Sequence, residues 1–115
     1  MQYMLLIYDP DPQAWAEMSD ADRQAIMQDY FAYTDELRQA GKMVAGDALQ
    51  GPDTAKSVRV RDGQQSATDG PFAETKEILG GAFLVDLPDL DEAIRLAALV
   101  PSAKHGSIEI RPIVQ

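Results

Sequence analysis

The sequence predicts one α+β domain, with elements in the order strand, helix, strand, hairpin, strand, helix, strand. Three observations lead there. Segments 2–8 and 81–87 carry apolar side chains at both odd and even positions, as strands covered on both faces do. Segments 20–40 and 90–98 repeat apolar residues at helical spacing behind residues suited to capping. Two turn signals, Asp62-Gly63 and Asp69-Gly70-Pro71, mark off a β-hairpin in the middle of the chain.

Taken in order, residues 2–8 (QYMLLIY) send Tyr3, Leu5 and Ile7 to one face and Met4, Leu6 and Tyr8 to the other. The run DPDP at 9–12 stops this strand, because proline removes a donor and disfavours helix in the residue before it. Ser19 is placed to cap the first helix, with Asp20 and Asp22 in the first turn, where the helix dipole favours anions. Ile26, Met27, Tyr30, Phe31, Tyr33 and Leu37 supply its apolar face, and Gly41 follows Arg38 where a C-terminal cap belongs. A helix from Asp20 to Ala40 is roughly 30 Å long.

Residues 43–50 form the second strand, with Gly46 inside it and Gly51-Pro52 ending it. Val58 and Val60 alternate with Arg59 and Arg61, so the arginines are expected on the wet face of an edge hairpin. Residues 81–87 (GAFLVDL) are the third scaffold strand. Asp89 caps the second helix, with Glu92 three residues on, and Leu90, Ala93, Ile94, Ala97 and Ala98 give its inner face up to Pro101. Residues 107–113 are the last strand, with Ile108 and Ile110 facing the core.

Two βαβ halves of this kind make a ferredoxin-like sheet with both helices on one face. One helical layer covers one side only, and the central strands are apolar on both. A second copy packing sheet against sheet across a two-fold axis is therefore expected, making the chain a homodimer.

Bulk properties narrow the function. The 115 residues suit one domain, 1–115, with 45% hydrophobic and 25% charged residues, ordinary for a globular protein. A net charge of -9 repels phosphate backbones and anionic lipid, so neither nucleic-acid nor membrane binding is expected. There is no cysteine, which excludes disulfides, thiolate metal sites and cysteine nucleophiles. The apolar start, 1–8, lacks the basic flank and cleavage site of a signal peptide, and no apolar run approaches the ~20 residues of a membrane span; a cytoplasmic location is expected. With one histidine and no phosphate-binding glycine loop or nucleophile elbow, no cofactor or metal is implied.

The stretch TDGPFAETKE at 68–77 resembles the signature of the DGPF-motif branch of the YCII-related family. YMLLIY at 3–8, VRVRDG at 58–63, LDEA at 90–93 and IEIRPI at 108–113 resemble the family pattern in the same order, so the likeness spans essentially the whole chain. The resemblance implies a dimeric α/β barrel. It also implies relatives encoded beside extracytoplasmic-function sigma factors, and a wider superfamily with small-molecule enzymes, among them a dehydrochlorinase of aromatic catabolism. Family members proposed as enzymes carry a histidine on the first helix and an aspartate near its end. The comparable stretches here, Gln28-Asp29-Tyr30 and Gln39-Ala40-Gly41, have no such histidine or second acid, so that pair does not carry over.

The candidate site residues each have a structural reading as well. Asp69, in Asp69-Gly70-Pro71-Phe72, is a base or acceptor with Phe72 as an apolar lid, or else the start of a turn with Phe72 plugged into the core. Glu74 and Lys76 present charge to a ligand or form a solvated connector. Asp47 and Asp86 are acids in apolar strands, each a site candidate or a strand-end residue paired with water or an arginine such as Arg111. His105 is an acid-base candidate or an exposed loop residue beside Lys104. The functional expectation is a dimer that binds or acts on a small organic molecule in a cleft between the sheet and the DGPF loop. Tyr3, Tyr8, Phe72, Glu74, Lys76 and Phe83 would line the cleft, and Asp47, Asp69 and His105 are the catalytic candidates. The alternative is a non-catalytic regulatory or interaction module associated with an extracytoplasmic-function sigma factor.

Overall fold

Strand β1 (Gln2–Asp9) alternates between half-buried and buried residues from Gln2 to Tyr8, and that alternation sets the layers of the molecule. The computed structural model describes residues 1–71 and 76–115. After β1 come α1 (Pro12–Glu17), α2 (Asp20–Gln39), β2 (Met43–Ala48), β3 (Lys56–Arg61), β4 (Gln64–Asp69), β5 (Ile78–Asp86), α3 (Leu90–Ala98) and β6 (Ser107–Pro112). Short 3-10 turns at Pro52–Thr54 and Pro101–Lys104 precede β3 and β6. The scaffold is a four-stranded antiparallel sheet in the order β2-β5-β1-β6, the strand order of a ferredoxin-like fold, and β3 and β4 make a separate two-stranded ribbon.

The helices lie on one face of the sheet. Tyr3, Leu5 and Ile7 of β1 and Phe83 and Val85 of β5 meet Tyr33 and Leu37 of α2 and Ala93, Leu96 and Ala97 of α3. Tyr33 packs edge-on against Phe83, ring centroids 5.5 Å apart, a geometry worth about 0.5–1.5 kcal/mol beyond its buried area. The Tyr33 hydroxyl donates to the Leu96 carbonyl at 2.9 Å, and burial pushes the phenol pKa up to about 12.

Local chemistry sets the helix ends. Ser19 accepts from the Asp22 amide at 3.1 Å, and Asp89 from the Glu92 amide at 2.9 Å. At the other end of α2 the Lys42 amide donates to the Leu37 carbonyl and the Gly41 amide to Arg38, the paired bonds of a Schellman cap. Lys42 then reaches α3, placing its amine 2.9 Å from Glu92, which also accepts from Arg95 at 2.6 Å. These two cations, Arg95 foremost, hold the Glu92 carboxyl down to about 2 from its ordinary 4.5.

Four sequence expectations change. The DPDP run also starts a helix: Asp11 caps α1 by accepting from the Gln13 amide at 3.0 Å, with Pro12 in the first turn, where a missing amide costs nothing. The inner face of α3 is Ala93, Leu96 and Ala97, while Leu90 and Ile94 are 49% and 52% exposed. On α2 only Tyr33 and Leu37 are buried, and Phe31 is 66% exposed on the outer side. The ribbon is wet on both faces rather than one, with Val58 as open to solvent as its arginines are.

Two outcomes follow. Leu5→Ala, at a fully buried position in mid-sheet, should lower unfolding free energy by about 2–5 kcal/mol in urea titrations. Because the Glu92 pKa is depressed in the fold, its contribution is present above the ordinary glutamate range and lost as pH falls from about 4.5 towards 2. Glu92→Gln should therefore flatten the fall in stability across that window, and an unchanged acid-unfolding curve would contradict the assignment.

Candidate functional site

Among the described residues, the other face of the sheet carries no helix. The register places Ala45, Leu84, Met4 and Arg111 side by side on one rung, and Asp47, Ala82, Leu6 and Glu109 on the next. Beyond them, Leu79 lies opposite Tyr8, and Tyr8 opposite Ser107. Alternation points these away from the core, and at Leu79 the surplus residue Gly80 shifts the β5 alternation so that Leu79 shares the face of Tyr8. The face is thus apolar along its two central strands, with charge at both edges.

Towards the β2 edge it sinks into an open hollow of about 250 Å³ lined chiefly by Met4, Leu49, Leu79, Ala82 and Leu84, with Asp47 on its wall. The volume lies just below the usual range of ligand sites, about 300–1,000 Å³. Gly81 lets the strands close up there: a Cβ on it would sit 2.8 Å from the Asp47 carbonyl oxygen. The Leu49 amide donates to the Gly80 carbonyl at 2.8 Å and carries the pairing of β2 and β5 past the hollow.

The polar groups on this face are sparse. Asp47 is exposed at the edge strand. On the far edge Tyr8 donates to Glu109 at 3.4 Å and Arg111 approaches the other carboxylate oxygen of Glu109 at 3.5 Å, both long contacts that contribute little. Asp47 and Arg111 stand on opposite edges, three strand spacings or roughly 14 Å apart, so Arg111 is not the partner of Asp47 within one chain. Asp86 pairs instead with the N-terminal amine at 3.1 Å. An apolar hollow with one carboxylate on its wall can hold a flat apolar molecule and accept a hydrogen bond from its edge.

The sequence candidates are dispersed. Tyr3 and Phe83 are in the core beneath the helices, 2% and 6% exposed, so their rings face away from the hollow. Tyr8 is on the open face, next to Leu79. Asp69 is exposed at the foot of the ribbon, where it pairs with Lys56, and Lys76 is exposed just ahead of β5. His105 is exposed in the turn before β6. Asp47, Asp69 and His105 are therefore not gathered into one site. Phe72 and Glu74 lie outside the described residues. Among the described residues, no three His, Cys, Asp or Glu side chains are placed to hold a metal ion, and no helix is long and apolar enough to cross a membrane.

The chief lining residues Met4, Leu49, Leu79, Ala82 and Leu84 escaped the sequence reading. The available signal was the even-numbered apolar set of β1; choosing that set over its aromatic counterpart required knowing which face α2 and α3 cover.

An antiparallel β2-β5-β1-β6 sheet, helices on one side and a bare apolar face on the other, defines a ferredoxin-like α+β domain. The chain belongs to the YCII-related family, whose domain model matches residues 1–115. It is 35% identical over 117 residues to an uncharacterized protein of Rhizobium meliloti (strain 1021), across 98% of this chain and 92% of that relative. Among solved structures, 5-chloro-2-hydroxyhydroquinone dehydrochlorinase from Burkholderia phenoliruptrix AC1100, in complex with 2,5-dihydroxybenzoquinone, is similar with a TM-score of 0.60. That match covers 99% of this chain and 94% of the other at 14% sequence identity, a likeness of fold.

The close approach of β2 and β5 beside the hollow can be probed at Gly81, with Gly80 outside the lining as the control. Gly81→Ala, with its methyl against the Asp47 backbone, should cost about 1–3 kcal/mol in urea unfolding. Gly80→Ala, whose Cβ would have its nearest neighbour at 3.8 Å, should stay within about 1 kcal/mol of the parent.

Proposed function

We propose that the chain works as a homodimer, sheet face to sheet face, and binds a small hydroxylated aromatic or quinone-like molecule in the hollow beside Asp47. The observation that carries this is the bare apolar face itself. Met4, Leu6, Leu79 and Leu84 lie in neighbouring rungs on a surface with no helix over it. A contiguous patch of this kind marks an interface or a ligand site. A two-fold partner turns the open hollow into an enclosed one, and enclosure strengthens any hydrogen bond made to Asp47 by lowering the local dielectric.

The ligand class follows from the lining. Leucine and methionine side chains suit a flat apolar ring, and the Asp47 carboxylate suits a hydroxyl at its edge. The dehydrochlorinase neighbour, which holds 2,5-dihydroxybenzoquinone, lends support as a protein of the same fold that takes a molecule of this class. Binding is the reading favoured over turnover, because among the described residues Asp47 has no second titratable group beside it in the hollow lining.

In sedimentation the wild-type chain should be a dimer at micromolar concentration, and Leu84→Arg should give monomers. Thermal-shift titration with 2,5-dihydroxybenzoquinone and simple hydroquinones should raise the melting temperature. Asp47→Asn should weaken the best ligand roughly ten-fold, the scale of one hydrogen bond to a charged acceptor. A lone wild-type protomer, or no stabilisation by any compound of this class, would remove the proposal.

A further inference from the structure

The β3–β4 ribbon spans Lys56 to Asp69, and its strands pair only with each other. Of its twelve strand residues only Ser57 is buried. Val58 and Val60 share one face with Ala67, which is paired with Val58, and are 61% and 59% exposed. A two-stranded hairpin is marginal in water unless one face packs against something. Yet this one is well formed. Asp62 and Gly63 take the positive φ angles of a tight hairpin turn, 51° and 74°. At its foot the Gly70 amide donates to the Ala55 carbonyl at 2.8 Å and the Ser57 hydroxyl to the Gly70 carbonyl at 2.7 Å, with Lys56 paired to Asp69. The Asp-Gly of the DGPF motif is therefore the clamp of the ribbon, and Gly70 holds it with a φ of 90° that side chains disfavour.

The ribbon projects. The radius of gyration is 16.0 Å, against about 13 Å for a compact chain of this length. Six-residue strands reach roughly 20 Å. The foot of the ribbon is joined on one side to β2 and on the other, through 70–77, to β5, the strands that flank the hollow.

Charge selects the occupant. The ribbon holds Lys56, Arg59 and Arg61 against Asp62 and Asp69, a net +1, whereas the other 101 residues carry 7 cations and 17 acids, a net -10. A mildly basic arm with two bare valines suits the acidic, part-apolar surface of another copy of this chain. A nucleic acid would be repelled by the body that carries the arm.

We propose that the β3–β4 ribbon is an arm that reaches across the two-fold and lays Val58 and Val60 on the second copy, bracing the dimer and walling the ligand hollow from the side. This rests on the homodimer reading above. The test compares a Val58→Asp/Val60→Asp variant with Leu6→Arg on the open sheet face, by sedimentation and circular dichroism. With unchanged secondary structure, the valine variant should raise the dimer dissociation constant about ten-fold or more; a constant within two-fold of wild type overturns the arm. If Leu6→Arg dissociates the dimer and the valine variant does not, the arm falls and the sheet interface stands. If the valine variant dissociates it and Leu6→Arg does not, the arm stands and the sheet interface falls. A monomeric wild type overturns both. Because the chain has no cysteine, Val58→Cys carries a single polarity-sensitive fluorophore. Its emission should shift to the blue as dilute protein is concentrated through the dimer transition, and constant emission within a proven dimer counts against the arm.

Discussion

A four-stranded sheet has two faces, and in this chain a single layer of helices is available to cover them. α2 and α3 both lie over Tyr3, Leu5, Ile7, Phe83 and Val85. Burying that face supplies the core and most of the hydrophobic stabilisation of the fold. The same strands present Met4, Leu6, Ala82, Leu84 and Leu79 on their reverse, and among the described residues no helix lies over them. The hollow, the proposed partner and the proposed ligand all follow from that asymmetry.

Electrostatics plays a secondary and local part. The net charge of -9 is distributed along the chain rather than gathered in one segment. Two lysines join elements: Lys42 reaches Glu92, which Arg95 also binds within α3, and ties the end of α2 to α3, and Lys56 closes the ribbon on Asp69. The open face has charge at its edges only, which leaves its centre free to lose water without stranding an ion.

Much of the scaffold was legible in the residues because local signals agreed with tertiary packing. Ser19, Asp89 and Gly41 act as helix boundaries through the bonds their types suggest, and Asp62-Gly63 makes the turn its sequence calls for. The site was less legible. Tyr3 and Phe83 looked like ligand-lining aromatics, but aromatic character does not say which face of a strand is wet. The contribution of Leu79 depends on an irregular register that no propensity encodes, and Asp47 gains its place from the fold of β2 against β5 rather than from neighbours in sequence.

That irregular register has its own physical meaning. Between Ile7 and Tyr8 the β1–β5 ladder slips so that Gly80 is left over, and between Met43 and Ala45 the β2–β5 ladder slips again at Val44. Each surplus residue bends its strand and tightens the local twist, and the two kinks bracket the stretch of β5 that carries Ala82 and Leu84. The sheet is cupped there by its backbone. Side-chain exchange on that cup would retune what it prefers to hold, whereas losing a surplus residue would flatten the cup itself.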